Sequence, residues 1–195
     1  RPTLGHGDLF SWAKLAAGRA ELYRAHRIEG ADTFFVGTDT SAGVTLRFAL
    51  SHACSGTSSQ TEVVICEKAT LRYIVGQFAE VRWLDGRTEK ITIGPFDGLH
   101  DNHLEYYRYL RGEAARPATS LADSRPFVML NDLAYVSAGQ ITAIAPERIS
   151  GERDETEQQD YLNVPGLVAA QEQFTLRGVW PGPNGWGREP GAVVT

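Results

Sequence analysis

The chain has 195 residues, of which 42% are hydrophobic, and carries a formal net charge of −5 at pH 7. This length and composition predict one domain with an elaborate tail and a substantial core. The acidic balance argues against a surface for nucleic acid or an anionic membrane, because there is no basic excess to neutralise phosphates. No apolar run approaches the roughly 18 residues that a bilayer span requires, and we expect a cytoplasmic protein.

The two cysteines and the first residue of the chain indicate its redox environment and whether it has been processed. Cys54 and Cys66 lack the C-x-x-C spacing of a zinc or redox site. Two reduced cysteines near a core are favoured in a cytoplasmic protein, and a disulfide between neighbouring strands stays open. The chain begins at Arg1 and shows no signal peptide, so we expect a fragment or a processed product.

The apolar patterns along the chain predict strands first and helices afterwards. Residues 8–17 have helical spacing, with Asp8 as N-cap and Gly18 as the stop. Alternation or turn residues then predict a strand at 19–29 and hairpin arms at 31–39 with 44–52, 62–66 with 70–75, and 79–84 with 87–93. Further helices are predicted at about 99–112, 120–137 and 164–177, with the highly charged residues 150–163 as a solvated loop.

This order predicts an α+β fold. We expect a mainly antiparallel, open-faced sheet of about six to seven strands, with helices packed on one face. The domain is predicted to span residues 1–178. Residues 179–195 form an irregular tail rich in Trp, Pro and Gly, and Trp180 and Trp186 are expected to pack on the domain or on a partner.

Several enzyme classes lack their motif in this sequence. A dinucleotide-binding turn needs G-x-G-x-x-G between a strand and a helix. Residues 5–10 supply only the first two of those glycines, follow no predicted strand and end in Phe10. The sequence also has no P-loop, no G-x-S-x-G and no H-E-x-x-H motif. The chain alone is therefore expected to bind no cofactor.

Two histidine clusters are candidates for chemistry. His6 stands beside Asp8 at the start of the first predicted helix, where it could act as a general base or bind a substrate hydroxyl. The alternative is a terminal loop in which Asp8 only caps the helix. His100 and His103 lie one helical turn apart and could hold a metal with a third ligand, but packing is favoured because no third ligand can be named.

Polar residues of the first strands are candidates for recognition. Tyr23, Arg24 and His26 offer donors suited to a sugar or a carboxylate, although such clusters are commonly the mixed face of a sheet. His52 ends the longest apolar strand. A buried, hydrogen-bonded histidine is favoured there, with a substrate contact as the alternative.

The chain resembles the C-terminal domain of the glucose–fructose oxidoreductase and inositol dehydrogenase family (Gfo/Idh/MocA). The resemblance rests on residues 20–25 with 28–29 and 32–33, residues 51–53, residues 109–113 with 119–126 and 135–138, and residues 164–167 with 185–191. It implies a parent protein whose N-terminal Rossmann domain, not present in this chain, binds NAD or NADP. It also implies that His6 matches the family's proton-transfer histidine, although Pro2 stands where the family often has Asp.

These observations predict the substrate-binding and oligomerisation domain of an NAD(P)-dependent oxidoreductase that acts on sugar- or cyclitol-like CH–OH groups. The isolated chain is expected to be inactive. Its expected partners are a sugar-like substrate and copies of itself, as a dimer or tetramer through the sheet face, but no nucleic acid or membrane. The alternative is a non-catalytic binding or scaffold module that dimerises through the same face.

Overall fold

A computed structural model describes residues 14–54, 60–94, 97–117, 119–155, 158–186 and 191–195. In this part of the chain, strands come first and helices are interspersed among later strands. The elements in chain order are β1 (Leu15–Arg24), β2 (Thr33–Thr40), β3 (Thr45–Ser51), β4 (Thr61–Ile65), β5 (Ala69–Ile74), β6 (Phe78–Trp83), β7 (Thr88–Thr92), α1 (Gly98–Leu110), α2 (Leu121–Ala138), β8 (Ile141–Ala143), β9 (Ser150–Asp154), β10 (Gln159–Asn163) and α3 (Leu167–Arg177).

The chain divides into two compact units. The first combines Arg1–Ser58 with Pro126–Thr195, and the second is Ser59–Arg125. The predicted α+β class and the mainly antiparallel pairing are confirmed. The strands differ from the expected single sheet, because they form two four-stranded sheets, β3-β2-β1-β8 and β4-β5-β6-β7, and a β9-β10 ribbon.

The sheet of the first unit is built around β1. This strand pairs antiparallel with β2, with Leu22 opposite Phe34 and Tyr23 opposite Thr33. On its other edge it pairs in parallel with the short β8, where Leu22 lies opposite Ile141. Since neighbouring side chains of a strand point to opposite faces, Leu22 and Tyr23 belong to different sides of the sheet.

Both sides of this sheet are covered by helix, whereas helices were expected on one side. Ala20 and Leu22 pack with Ala134 and Ala138 of α2. On the opposite side, Tyr23 and Phe35 pack with Leu167 and Phe174 of α3. Each large apolar side chain buried there stabilises the fold by about 1.5–3 kcal/mol. Because the consecutive residues Leu22 and Tyr23 are both apolar and both buried, β1 contributes to a core on each side of the sheet.

The second unit is a four-stranded meander followed by α1. Its last hairpin turns at Asp85-Gly86, as predicted, and Gly86 has a φ of 89°, the left-handed region that glycine adopts without strain. Helix α1 begins at an N-cap, Asp97, whose carboxylate accepts hydrogen bonds from two backbone amides of the first turn. One half of the predicted capping box is present, since Asp123 accepts a hydrogen bond from the Ser120 amide at 2.8 Å, while the Ser120 hydroxyl donates to the same carboxylate.

Two segments differ from the sequence prediction. The described end of the predicted helix 8–17 is not helical: Lys14 precedes β1, and Leu15–Ala17 lies in β1, because its backbone pairs with β2 at Thr40 and Asp39. The rest of that predicted helix, residues 8–13, lies outside the described residues. The charged residues 150–163, predicted as a loop, form the β9-β10 hairpin, in which Arg153 donates to Asp160 across the strands at 2.8 Å.

The tail returns to the first unit. The ring of Trp180 lies 4.6 Å from that of Phe174, and the ring of Trp186 lies 5.3 Å from that of Tyr23. Val194 forms a β-bridge with Gly18. The domain boundary predicted at residue 178 remains a prediction. None of the helices in the described ranges is long and apolar enough to cross a membrane.

Candidate functional site

The loop between β1 and β2 is organised around the carboxylate of Asp32. Its Oδ2 atom accepts hydrogen bonds from the backbone amides of Ala25 at 2.8 Å and His26 at 2.7 Å. The same oxygen lies 2.8 Å from Nδ1 of His26, and Thr33 Oγ1 donates to Oδ1 at 3.1 Å. Asp32 is 3% exposed, so these donors replace the water that a surface carboxylate would have.

These contacts keep Asp32 ionised. Burial by itself raises the pKa of Asp32, but hydrogen bonds from His26, Ala25 and Thr33 outweigh it and bring the pKa below its ordinary value. An ionised carboxylate can only accept hydrogen bonds, so Nδ1 of His26 must be the donor. In the neutral ring, Nε2 is then an acceptor. The side chain of His26 is 33% exposed, so part of it can be reached from solvent.

Two other predicted residues lie beside this pair. The backbone amide of His52 donates to the carbonyl oxygen of Asp32 at 3.0 Å, and the His52 side chain is exposed. Arg24 is half-buried and donates from Nη1 to the carbonyl oxygen of Ile28 at 2.7 Å. One carboxyl residue therefore holds both histidines at the same end of the sheet, while Arg24 braces the loop between them.

Tyr23 has a different position from the one expected for a ligand contact. It is fully buried, its hydroxyl donates to Oε2 of Glu21 at 2.6 Å, and its ring packs against Trp186. The same oxygen of Glu21 accepts the backbone amide of Gly182 at 2.8 Å. Tyr23 thus contributes to the core and to the attachment of the tail rather than to an accessible surface.

The remaining candidates do not join this group in the described structure. His6 and Asp8 lie outside the described residues. His100 is on α1 in the second unit, where its exposed ring lies 3.3 Å from Asp101. Within the described ranges, no three His, Cys, Asp or Glu side chains come together in a way that could hold a metal ion.

The described residues do not fit a nicotinamide dinucleotide. Such a cofactor needs a glycine-rich turn that leads from a strand into the N-terminus of a helix. Strands β1, β2 and β3 follow one another as an antiparallel meander, and the described part of the chain has no strand, glycine-rich turn and helix in that succession. The described residues therefore form no dinucleotide-binding turn of this kind.

Sequence reasoning did not select Asp32 as a site residue. A histidine followed six residues later by an aspartate is not a known sequence motif. The two side chains come together only because the loop between β1 and β2 folds back on itself. One sequence feature could have identified Asp32. A carboxylate directly before a buried strand needs hydrogen-bond donors, and the polar loop that contains His26 supplies them.

Comparison with known proteins gives a fold and no closer relationship. No family model and no curated protein matches the chain. A solved oxidoreductase from Agrobacterium radiobacter, in complex with NAD+, L-tartaric acid and magnesium, matches with a TM-score of 0.53 and 22% identity. UDP-N-acetylglucosamine 3-dehydrogenase from Acidithiobacillus ferrooxidans matches with a TM-score of 0.57 and 13% identity. The chain shares its fold with oxidoreductases of the Gfo/Idh/MocA type.

This confirms the resemblance at the level of the fold. The first match covers 65% of this chain and 42% of the Agrobacterium protein. The second covers 68% of this chain and 44% of the Acidithiobacillus protein. The chain therefore spans less than half the length of either structure, and the activities of those proteins belong to longer chains.

Proposed function

We propose that this chain is the substrate-binding and oligomerisation domain of an NAD(P)-dependent oxidoreductase that acts on CH–OH groups of sugar- or cyclitol-like molecules. The observation that carries the proposal is the fold shared with solved oxidoreductases, one of which is named as a complex with NAD+ and another as a nucleotide-sugar dehydrogenase. The nicotinamide is held by another domain of the parent protein, and the chain works in the cytoplasm.

The site at the end of β1 supports recognition of a polyhydroxylated substrate. The Nε2 atom of His26 accepts a hydrogen bond from a substrate hydroxyl, because Asp32 fixes the proton of the ring on Nδ1. The exposed ring of His52 adds a donor or acceptor at the same end of the sheet. His6 is proposed as the proton-transfer residue, on the ground of the resemblance.

Ligand binding tests the proposal directly. Saturation-transfer NMR on the full chain, with myo-inositol, D-glucose, L-tartrate and UDP-N-acetylglucosamine, should detect at least one ligand with a dissociation constant of about 1 mM. His26→Ala should abolish that signal. His100→Ala, which removes another exposed histidine beside a carboxylate, should leave it unchanged. The assignment of the site would be contradicted if both variants kept the signal or if both lost it.

The cofactor part of the proposal has its own measurement. Isothermal titration of the chain with NAD(H) and NADP(H) should detect no binding tighter than micromolar, because the described residues do not form a dinucleotide turn. Sub-micromolar binding would overturn the assignment of the cofactor to another domain.

A second candidate function is a scaffold module that dimerises through the sheet. It is supported by exposed apolar side chains on β3, where Phe48 is 37% and Leu50 is 59% exposed. Analytical ultracentrifugation should show a dimer or tetramer that Leu50→Asp dissociates. The matched control is Ile65→Asp, which changes an exposed apolar strand residue of the second unit, 67% exposed against 59% for Leu50. A monomeric wild-type chain would exclude oligomerisation under either candidate.

A further inference from the structure

A second polar site lies at the opposite end of β1. It is an open cleft of about 340 Å³ between the sheet and the C-terminal end of α3. Its side chains combine guanidinium groups with aromatic rings, and the residues that matter here are Arg19, Arg47, Arg177, Asp39, Phe174 and Trp180. Arg19 and Arg24 are five positions apart in β1, which places the cleft about 17 Å from the His26 loop.

Two of the three arginines of the cleft are held by backbone atoms. Arg19 donates from Nε to the carbonyl oxygen of Gly191 at 2.8 Å, and Arg47 donates from Nη1 to the carbonyl oxygen of Thr175 at 3.4 Å. Each of these bonds uses one N–H of a group that carries five. Among the described residues, the structure shows no further hydrogen bond from either guanidinium, and the anchors limit the conformational entropy that binding would cost.

The cleft has an excess of positive charge. Among the described residues, none of its three arginines lies within 4.0 Å of a carboxylate oxygen. Its acidic side chain, Asp39, accepts a hydrogen bond from Thr45 at 2.6 Å. Three guanidinium groups and one carboxylate leave a local charge of +2 in a chain whose net charge is −5. The positive charge of Arg177 is stabilised by the partial negative charge at the C-terminal end of α3. Arg19 and Arg47 lie on strands, so a helix dipole does not account for their positions.

An aromatic wall borders these charges. Trp180 packs on Phe174 with ring centroids 4.6 Å apart, and the guanidinium of Arg19 lies 5.4 Å from the centre of the Trp180 ring. Gly37 is part of this packing, since a Cβ there would stand 3.4 Å from the indole. A half-buried indole beside oriented guanidinium groups suits a ligand that has both an anionic group and a ring.

We propose that this cleft binds a small organic oxyanion, a carboxylate or phosphate carried on a sugar-sized ring. The oxyanion is bound by Arg47 and Arg177, and the ring lies against Trp180. The cleft is separate from the loop that holds His26, so this proposal does not depend on the proposed oxidoreductase function. Carboxylates and phosphates share the geometry that a guanidinium fork recognises.

Calorimetric titration of the full chain at constant ionic strength tests this proposal. The probes are D-glucose 6-phosphate, D-glucuronate, inorganic phosphate and neutral D-glucose. We expect the ring phosphate or the sugar acid to bind with a dissociation constant below about 1 mM, more tightly than inorganic phosphate and at least about tenfold more tightly than D-glucose. The better of the two charged probes identifies the natural anionic group.

Arginine variants show whether the binding occurs in the cleft. Arg47→Gln and Arg177→Gln should each weaken binding about tenfold or more, as expected for the loss of a charge-assisted hydrogen bond. Arg72→Gln is the control, because Arg72 is an exposed strand arginine of the second unit. An equal loss in the control, binding of D-glucose as tight as that of its phosphate, or no heat with any anion at about 10 mM would overturn the proposal.

Discussion

Replacement of Asp32 by alanine tests whether one carboxylate builds the loop that carries His26. The substitution removes the acceptor for two backbone amides, for the imidazole Nδ1 and for the Thr33 hydroxyl. A donor that loses its partner in a buried site costs about 1–3 kcal/mol. With two backbone donors affected and partial access of water to the loop, we expect the free energy of unfolding to fall by about 3 kcal/mol.

Urea titration followed by circular dichroism measures this loss. With a denaturant slope of about 2 kcal/mol per molar, the midpoint should fall by about 1.5 M. Asp132→Ala is the matched control, since Asp132 is an exposed aspartate on α2. Its free energy of unfolding should stay within about 0.5 kcal/mol of the wild type. A loss below about 1 kcal/mol in Asp32→Ala, or one equal to that of the control, would refute the role assigned to Asp32.

The pH dependence of a second variant, Asp32→Asn, tests the role of the charge on Asp32. The pKa of Asp32 in the folded state lies below its ordinary value of 3.8. The ionised carboxylate therefore stabilises the fold above that value, and the contribution is lost as pH falls through the lowered pKa. The difference in unfolding free energy between wild type and Asp32→Asn should be constant near neutral pH and shrink below about pH 4. A difference that grows on acidification would contradict this sign.

Three further substitutions or modifications follow from the structure. Gly191→Ala would place a Cβ 2.5 Å from the carbonyl oxygen of Ala20, so the tail must shift. Thermal unfolding should show that the free energy of unfolding falls by about 2–4 kcal/mol, and an unchanged unfolding temperature would contradict the close approach. Gly86→Ala should lower the free energy of unfolding by about 1 kcal/mol and Gly86→Asn by less, because the φ of 89° is the only obstacle to a side chain at this position. Equal urea midpoints for the wild type and Gly86→Ala would show that the turn imposes no backbone strain. Iodoacetamide should modify exposed Cys66 before Cys54, whose thiol pKa is raised by burial, and mass spectrometry that finds Cys54 labelled first would contradict this.

Local features of the fold were predictable where neighbouring residues decide the structure. The Asp85-Gly86 turn and the pairing of Ser120 with Asp123 need only backbone conformation and hydrogen bonds within a few positions. The β9-β10 hairpin was not predictable in this way. Its charges, such as those of Arg153 and Asp160, indicate a solvated loop until the strands pair and bring opposite signs together.

The candidate site was predictable only in part. The sequence marked Arg24, His26 and His52 as polar groups of two strands, and the structure places them around one loop. It did not mark Asp32, and it treated Tyr23 as accessible, although its hydroxyl and ring are enclosed by Glu21 and the returning tail. An alternating strand shows which side chains share a face, but not which face a distant segment will cover.

By itself, the sequence determined the α+β class, the antiparallel hairpins and the resemblance that the shared fold confirms. These depend on periodicity, turn residues and the order of short segments, which act over neighbouring positions. The tertiary structure alone decided that β1 serves two cores, that Asp32 orients His26, and that three arginines from separate elements line one cleft. Those arrangements arise from contacts between segments far apart in the chain, and chain closure brings such segments together only when the whole unit folds.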